Sequence, residues 1–370
     1  MEETGPRPPR TVYILGAGFS VPFGLPPQAQ ILERILELRP DGLSEERAEV
    51  RDFIEHAFLV PPEDCARVSL EDIYTVLDRA YARRDTVAGR SGDGLLKMQG
   101  YLNLLIAATF DAVARQQGRE ALRTFAHALA WYAKKRGKSS DPFAIISLNW
   151  DIVLDHALYD ALEGLSDERI GKGVLDYGMY FHSLSGDGGN RVLNGTTALK
   201  FGAPTIKLLK LHASMNWLYC PNCERMYVRP ERKLILTPAT CTCQNQIMRP
   251  MLVSPTFLKN FDNVHLRNVW HLAGAKLREA QRVVFVGYSL PQADFEFRYL
   301  LQRHLPSRTQ VKVFDYMNKD LNGIPEVLQE QRREELESRY RYLLGDRLDH
   351  EAFCYDGAEA FLLQEAQIWR

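Results

Sequence analysis

Residues 11 to 27 read TVYILGAGFSVPFGLPP. The first five, Thr11-Val12-Tyr13-Ile14-Leu15, are β-branched, aromatic or aliphatic with no polar alternation, the pattern of a parallel strand buried on both faces. Gly16-Ala17-Gly18 ends the run at once and lets backbone approach a ligand closely. Further on, Ala29, Ile31, Leu32, Ile35 and Leu36 recur at helical spacing, so a helix is expected over 28–38. Strand, glycine turn and helix make a phosphate cradle, in which backbone N–H groups and the positive end of a helix dipole face an anion. A tight turn after a core strand is the plain alternative. The G-x-G-x-x-G fingerprint would place glycine where Val21 stands, and Gly24 comes three residues late.

Further strands with polar tips strengthen the cradle reading. Phe143-Ala144-Ile145-Ile146-Ser147-Leu148 leads into Asn149-Trp150-Asp151, followed by Ile152, Leu154, Leu158 and Leu162 on a helical face. Arg282-Val283-Val284-Phe285-Val286 runs into Gly287-Tyr288-Ser289-Leu290-Pro291 and then a helix from Asp294 to Arg303. Val311-Lys312-Val313-Phe314 ends in Asp315-Tyr316-Met317-Asn318. Strands that end in small or polar residues are how an open parallel sheet presents a ligand at its carboxyl edge.

The stretch Leu208 to Trp217, LLKLHASMNW, sets His212 between an apolar run and small residues. The imidazole faces either a cavity or a hydrogen-bond partner in the core. Immediately after come Cys220-Pro-Asn-Cys223, 17 residues, and Cys241-Thr-Cys243. Two close pairs at this separation read as a structural zinc ribbon, four thiolates closing a tetrahedral shell with no open position for chemistry. The alternative is a pair of reduced hairpins whose cysteines only pack. Cys65 and Cys354 stand apart and read as ordinary core or surface residues.

Composition bounds the rest. The chain has 370 residues, 45% of them hydrophobic, enough for one large domain or two smaller ones. Lys and Arg number 46 against 47 Asp and Glu, so a net charge of -1 supplies no global field for nucleic acid or an anionic membrane. Direct nucleic-acid binding is not expected, and the Lys134-Lys135-Arg136-Gly137-Lys138 run reads as a solvated helix end. No apolar stretch approaches the roughly 20 residues that span a bilayer, and the N-terminus lacks a secretion signal's apolar core. With cysteines too sparse for a disulfide scaffold, a cytoplasmic location is expected. Residues 43–117 show helical spacing interrupted at 61–68 and 88–95. Residues 186–194, GDGGNRVLN, form a flexible turn or a pocket cover, and residues 326–346 form a helix carrying both charges.

Taken in order, the glycine loop, S-x-N-x-D, K-L-H-x-S-x-N-W, the cysteine pairs and G-Y-S-L-P resemble the sirtuin family over roughly residues 11 to 320. The resemblance implies that Gly16, Ala17, Gly18 and Ser20 hold the NAD pyrophosphate. It implies Asn149 near the nicotinamide ribose, Asp151 near the carboxamide pocket and His212 as base. It places Gly287 and Ser289 near the adenine ribose and phosphates, and Asn318 beside the adenosine half. Cys220, Cys223, Cys241 and Cys243 would hold structural zinc. Asn149 and His212 are thus the catalytic candidates.

Departures from the protein deacylases of that family bear on the activity. The glycine loop continues Gly24-Leu25-Pro26-Pro27-Gln28 without a Phe-Arg pair, Leu148 stands where the family has Gln, and Ala213 where it has Gly. Residues 252–259, LVSPTFLK, contain Pro255, which has no N–H to offer a substrate strand. These differences are similar to the sirtuin-like branch of bacterial antiphage defence, which hydrolyses NAD. Ser69 to Leu77, Asp176-Tyr177-Gly178 and Gly287 to Asp294 fit that branch too. The expected fold class is α/β, a Rossmann-like parallel sheet with an inserted helical subdomain and a small zinc-ribbon-like module. Residues 1–320 form the NAD-binding catalytic domain, with the insertion over about 43–138 and the cysteine module over 218–250. Residues 321–370 form a C-terminal helical extension offering an assembly surface. The resemblance implies regulation as a homo-oligomer or by a partner such as a ring ATPase. An NAD-dependent protein deacylase and an NAD or ADP-ribose sensor without turnover are the other readings.

Overall fold

The computed structural model describes residues 8–37, 42–114, 119–136, 141–165, 173–182, 204–228, 239–241, 243, 247–256, 263–316, 326–349 and 351–370. Asn318 and residues 186–194 lie outside the described residues. The chain divides into two compact units. Unit 1 comprises residues 1–22, 119–212 and 262–370, and unit 2 residues 23–118 and 213–261. The insertion expected over 43–138 therefore supplies residues to both.

Unit 1 is built on a parallel sheet. Its strands are β1 (Thr11–Leu15), β2 (Phe143–Ser147), β3 (Val174–Asp176), β4 (Thr205–Lys210), β8 (Arg282–Val286), β9 (Gln310–Phe314) and β10 (Phe353–Cys354). Among the described residues the order is β10-β9-β8-β1-β2-β4-β3, and every neighbouring pair is parallel. The strand numbering reverses beside β1, whose Thr11 pairs with both Phe143 and Arg282. This is the switch point outside whose carboxyl ends open α/β sheets bind ligands. All five residues of β1 and of β2 are buried, which is why their sequences show no alternation. Tyr13 and Ile14 have no exposed surface, and burying such a side chain contributes about 1.5–3 kcal/mol.

Helices α5 (Glu120–Arg136), α6 (Val153–Gly164), α7 (Val264–Glu279), α8 (Phe295–His304), α9 (Glu326–Leu344) and α10 (Gly357–Ile368) complete unit 1. Helix α10 packs along α5 and against β8 and β9. Its buried Glu365 accepts hydrogen bonds from Tyr13 Oη at 2.7 Å and Arg282 Nη1 at 2.8 Å, and Trp369 Nε1 donates to Tyr13 Oη at 2.6 Å. Burial, reinforced by the Glu365 carboxylate, raises the Tyr13 pKa well above its ordinary value. Residues 353–370, expected within a helical extension, thus contribute an edge strand and a bonded helix to the sheet.

Unit 2 contains α1 (Ile31–Glu37), α2 (Ser44–Phe58), α3 (Leu70–Arg83) and α4 (Asp93–Ala114), together with the antiparallel strands β5 (Ala213–Tyr219), β6 (Met226–Val228) and β7 (Arg249–Leu252) in the order β6-β5-β7. Ser69 caps α3 by accepting the Asp72 N–H at 3.0 Å. The helix expected over 28–38 begins only at Ile31, after stretches of 3-10 helix at Ala17–Phe23 and Gln28–Gln30. Helix ends commonly tighten into 3-10 turns, and Gln28–Gln30 is such a turn leading directly into the α-helix at Ile31. Among the described residues no helix is long and apolar enough to cross a membrane.

Candidate functional site

Four loops that leave the carboxyl edge of the unit 1 sheet carry candidate residues. The loop after β1 places Gly16, Ala17, Gly18 and Ser20, and the loop after β2 places Asn149 and Asp151. His212 follows β4, and Gly287 and Ser289 follow β8. Ser20 Oγ donates to Asp151 Oδ2 at 2.8 Å. Asn149 Nδ2 donates to the Gly16 carbonyl at 2.8 Å and reaches Ser20 Oγ at 3.4 Å. Its Oδ1 takes no hydrogen bond among the described residues. Asp151 Oδ1 also accepts the Val153 N–H at 3.0 Å, and Lys210 Nζ donates to the Asp151 carbonyl. Ser20, Asn149 and Asp151 are all buried and form one hydrogen-bonded group. Burial raises the Asp151 pKa, and the Lys210 ammonium opposes the rise.

His212 is brought to the same edge on the neighbouring strand. Its Nδ1 lies 3.1 Å from the Leu148 carbonyl, which only accepts, so Nδ1 carries the proton in that contact. In the neutral ring Nε2 is then the basic nitrogen, and it lies 3.8 Å from Asp294 Oδ1. Tyr288 Oη donates to Asp294 Oδ2 at 3.0 Å, and Tyr340 Oη from α9 donates to the Tyr288 carbonyl at 2.6 Å. Asp294 stands at the N-cap of α8 yet makes no side-chain cap bond; its carboxylate is turned to Tyr288 and His212 instead. The next residue, Ala213, has φ +63°, a left-handed backbone that glycine adopts freely and that costs alanine about 1–2 kcal/mol.

The glycines are explained by close backbone packing between the β1 and β8 loops. Gly16 N–H donates to the Val286 carbonyl at 3.0 Å and Gly18 N–H to the Gly287 carbonyl at 2.9 Å, so both amides are spent within the protein. A Cβ on Gly16 would sit 2.5 Å from the Gly287 oxygen, one on Gly18 2.7 Å from Gly287 Cα, and one on Gly287 2.2 Å from Phe19 N. Gly287 also has φ +59°. Ser289 is exposed on the same loop.

The sequence marks His212 and Asn149 as candidates, but it gives Asp294 only a helix start and the end of the Gly287 to Asp294 stretch, and it does not single out Lys210 or the Asp155 that bonds it. Lys210 carried a usable signal: a lysine inside the apolar run of Leu208 to Leu211, two residues before His212. Asp155 carried less, since an acidic residue in the first turn of a helix is ordinary.

In unit 2 the four cysteine sulfurs lie within 4.8 Å of one another, with Cys220 and Cys243 3.4 Å apart and Cys223 and Cys241 3.6 Å apart. All four are free thiols. Four sulfurs about 2.3 Å from a central zinc stand roughly 3.8 Å apart, so the cluster is compatible with structural zinc. Cys220 and Cys241 are fully buried beside Leu218, Tyr227 and Met248. Against burial, which raises it, the Tyr227 hydroxyl 3.0 Å away lowers the Cys241 thiol pKa to about 6.

Comparison with solved structures finds likenesses at low identity. A Sir2 homologue in complex with NAD is 14% identical with a TM-score of 0.39, covering 90% of this chain and 90% of its own. A Sir2 enzyme described for mechanism and regulation is 13% identical with a TM-score of 0.39, covering 97% and 92%. A Sir2 bound to a propionylated peptide is 15% identical with a TM-score of 0.33, covering 89% and 92%. No protein-family model and no curated protein matches the chain.

Proposed function

We propose that the chain is an NAD glycohydrolase, converting NAD and water to nicotinamide, ADP-ribose and a proton. The observation that carries this reading is the convergence of Ser20, Asn149, Asp151 and His212 at the carboxyl edge of adjacent parallel strands. In the reaction the C1′–N bond breaks, its electron pair neutralises the pyridinium nitrogen, and nicotinamide leaves. Water adds to the oxocarbenium carbon and loses a proton. Asn149 Oδ1 orients the water or a ribose hydroxyl, since its Nδ2 is held by Gly16 and Ser20. His212 Nε2 takes the proton, and the Asp294 carboxylate steadies the resulting imidazolium. Asp151 serves the carboxamide end, the loop from Gly16 to Ser20 the pyrophosphate through groups other than the Gly16 and Gly18 amides, and Gly287 and Ser289, with Asn318, the adenosine half.

Hydrolysis is favoured over protein deacylation by the segment after β7. Thr256 N–H donates to the Ser254 carbonyl at 2.8 Å, a tight turn centred on Pro255 in place of an extended strand that could pair with a peptide. In keeping with the motif resemblance, the enzyme acts as an antiphage-defence effector that depletes NAD. It is held in check by self-assembly or by a partner such as a ring ATPase. The test is nicotinamide release by the purified protein with and without an acetylated peptide. Release without peptide that disappears in Asn149→Ala and His212→Ala is expected. Undiminished turnover in both variants, or release only with peptide, refutes the reading.

A further inference from the structure

Beneath the candidate site lies a buried polar chain that the proposed chemistry does not use. Lys210, 1% exposed, ends β4 opposite Ser147, the last residue of β2. Its ammonium therefore reaches past the strand end to the loop carrying Asn149 and Asp151. There it donates to the Asp151 carbonyl and, at 3.3 Å, to Asp155 Oδ2. Asp155, 2% exposed, accepts from Tyr177 Oη at 2.6 Å, and Tyr159 Oη lies 3.3 Å from Tyr177 Oη. Burial, with the Asp155 charge adding to it, raises the Tyr177 pKa well above its ordinary value, so the phenol stays a donor.

A buried lysine needs a counter-charge, and Asp155 supplies one. The bond to the Asp151 carbonyl goes beyond that need, because it ties a different element to the same nitrogen. The Asn149–Asp151 segment is then gripped twice. Ser20 holds the Asp151 side chain and Lys210 its main chain, with Asn149 two residues upstream bonded to the β1 loop. We infer that Lys210 is a positioning residue, setting the placement of Asn149 and Asp151 through the Asp151 carbonyl. In its effect on turnover this rests on the NAD glycohydrolase reading; in its effect on the loop it does not.

Two variants separate positioning from charge compensation. Lys210→Met removes the ammonium and leaves Asp155 buried without it, so both stability and turnover are expected to fall. Lys210→Met combined with Asp155→Asn removes both charges and keeps an acceptor for Tyr177, and its Tm is expected to return toward the wild-type value. If Lys210 positions the loop, the double variant keeps a kcat lowered about 100-fold, the scale of a misplacement near 1 Å, with KM changed far less. Amide hydrogen exchange over 148–152 quickens about tenfold or more while exchange in β1 and β8 does not change. Recovery of both kcat and loop protection along with Tm overturns the inference. Should the double variant stay less stable, exchange is compared at a fixed interval below each Tm. Uniform loss of protection overturns the inference and loss confined to 148–152 upholds it. A wild-type protein that releases no nicotinamide would sink the glycohydrolase reading, leaving the exchange comparison to decide this one.

Discussion

Replacing Gly287 by alanine tests whether the glycine-rich edge of the sheet is shaped by backbone packing. At φ +59° an L-residue incurs about 1–2 kcal/mol of conformational strain. The added methyl would also lie 2.2 Å from Phe19 N, 2.3 Å from Gly18 C and 2.6 Å from Gly18 Cα. All three are backbone atoms, so no side-chain rotation relieves the clash. The Gly18 N–H bond to the Gly287 carbonyl, at 2.9 Å, resists the roughly 1 Å separation that ordinary contact requires. Overpacking of this kind adds about 1–3 kcal/mol, bringing the expected loss to about 2–5 kcal/mol, less about 0.4–1 kcal/mol from the stiffer unfolded chain. Gly345→Ala is the matched control, since Gly345 has φ +56° with nothing within 4 Å of a Cβ. Urea unfolding followed by tryptophan fluorescence measures both. A Gly287→Ala midpoint no lower than that of Gly345→Ala refutes the packing argument. The β1 and β8 glycines would then be there for a ligand alone.

Two further outcomes follow from the electrostatics and the thiols. Because burial raises the folded pKa of Asp151, the folded state binds the proton more tightly than the unfolded chain does. The stability this group contributes therefore falls as pH climbs from the unfolded value of about 3.9 to the folded one, and is not regained above it. Asp151→Asn, which keeps an acceptor for the Val153 N–H, is expected to gain stability relative to wild type across that window and then hold the gain; parallel pH profiles of Tm would contradict this. Metal analysis is expected to find about one zinc per chain, and a strong chelator or Cys223→Ser should lower Tm. Metal-free protein with an unchanged Tm would show that the cysteines only pack.

The parallel strands were legible because residues buried on both faces must be apolar throughout, as Tyr13 and Ile14 are, and because glycine or a polar residue has to end such a run. The two cysteine pairs were legible for a similar reason, since a four-thiolate cluster demands particular residues at short spacing. Asn149, Asp151 and His212 stand out in the sequence near strand ends, and the family resemblance adds Ser20, but neither says which of them touch. That Ser20 grips Asp151, that His212 Nε2 faces Asp294 and that Lys210 reaches the Asp151 carbonyl depend on how the strands are ordered in the sheet. The order β8-β1-β2-β4 joins residues as far apart in the chain as Thr11 and Arg282 and, at the least, Ile145 and Leu208, and no local pattern encodes that pairing. Nor did the glycine pattern reveal that the Gly16 and Gly18 amides bond to the β8 edge. Local sequence governs backbone propensity and burial, whereas the partner of a buried polar atom is decided by the packing that brings a distant strand beside it.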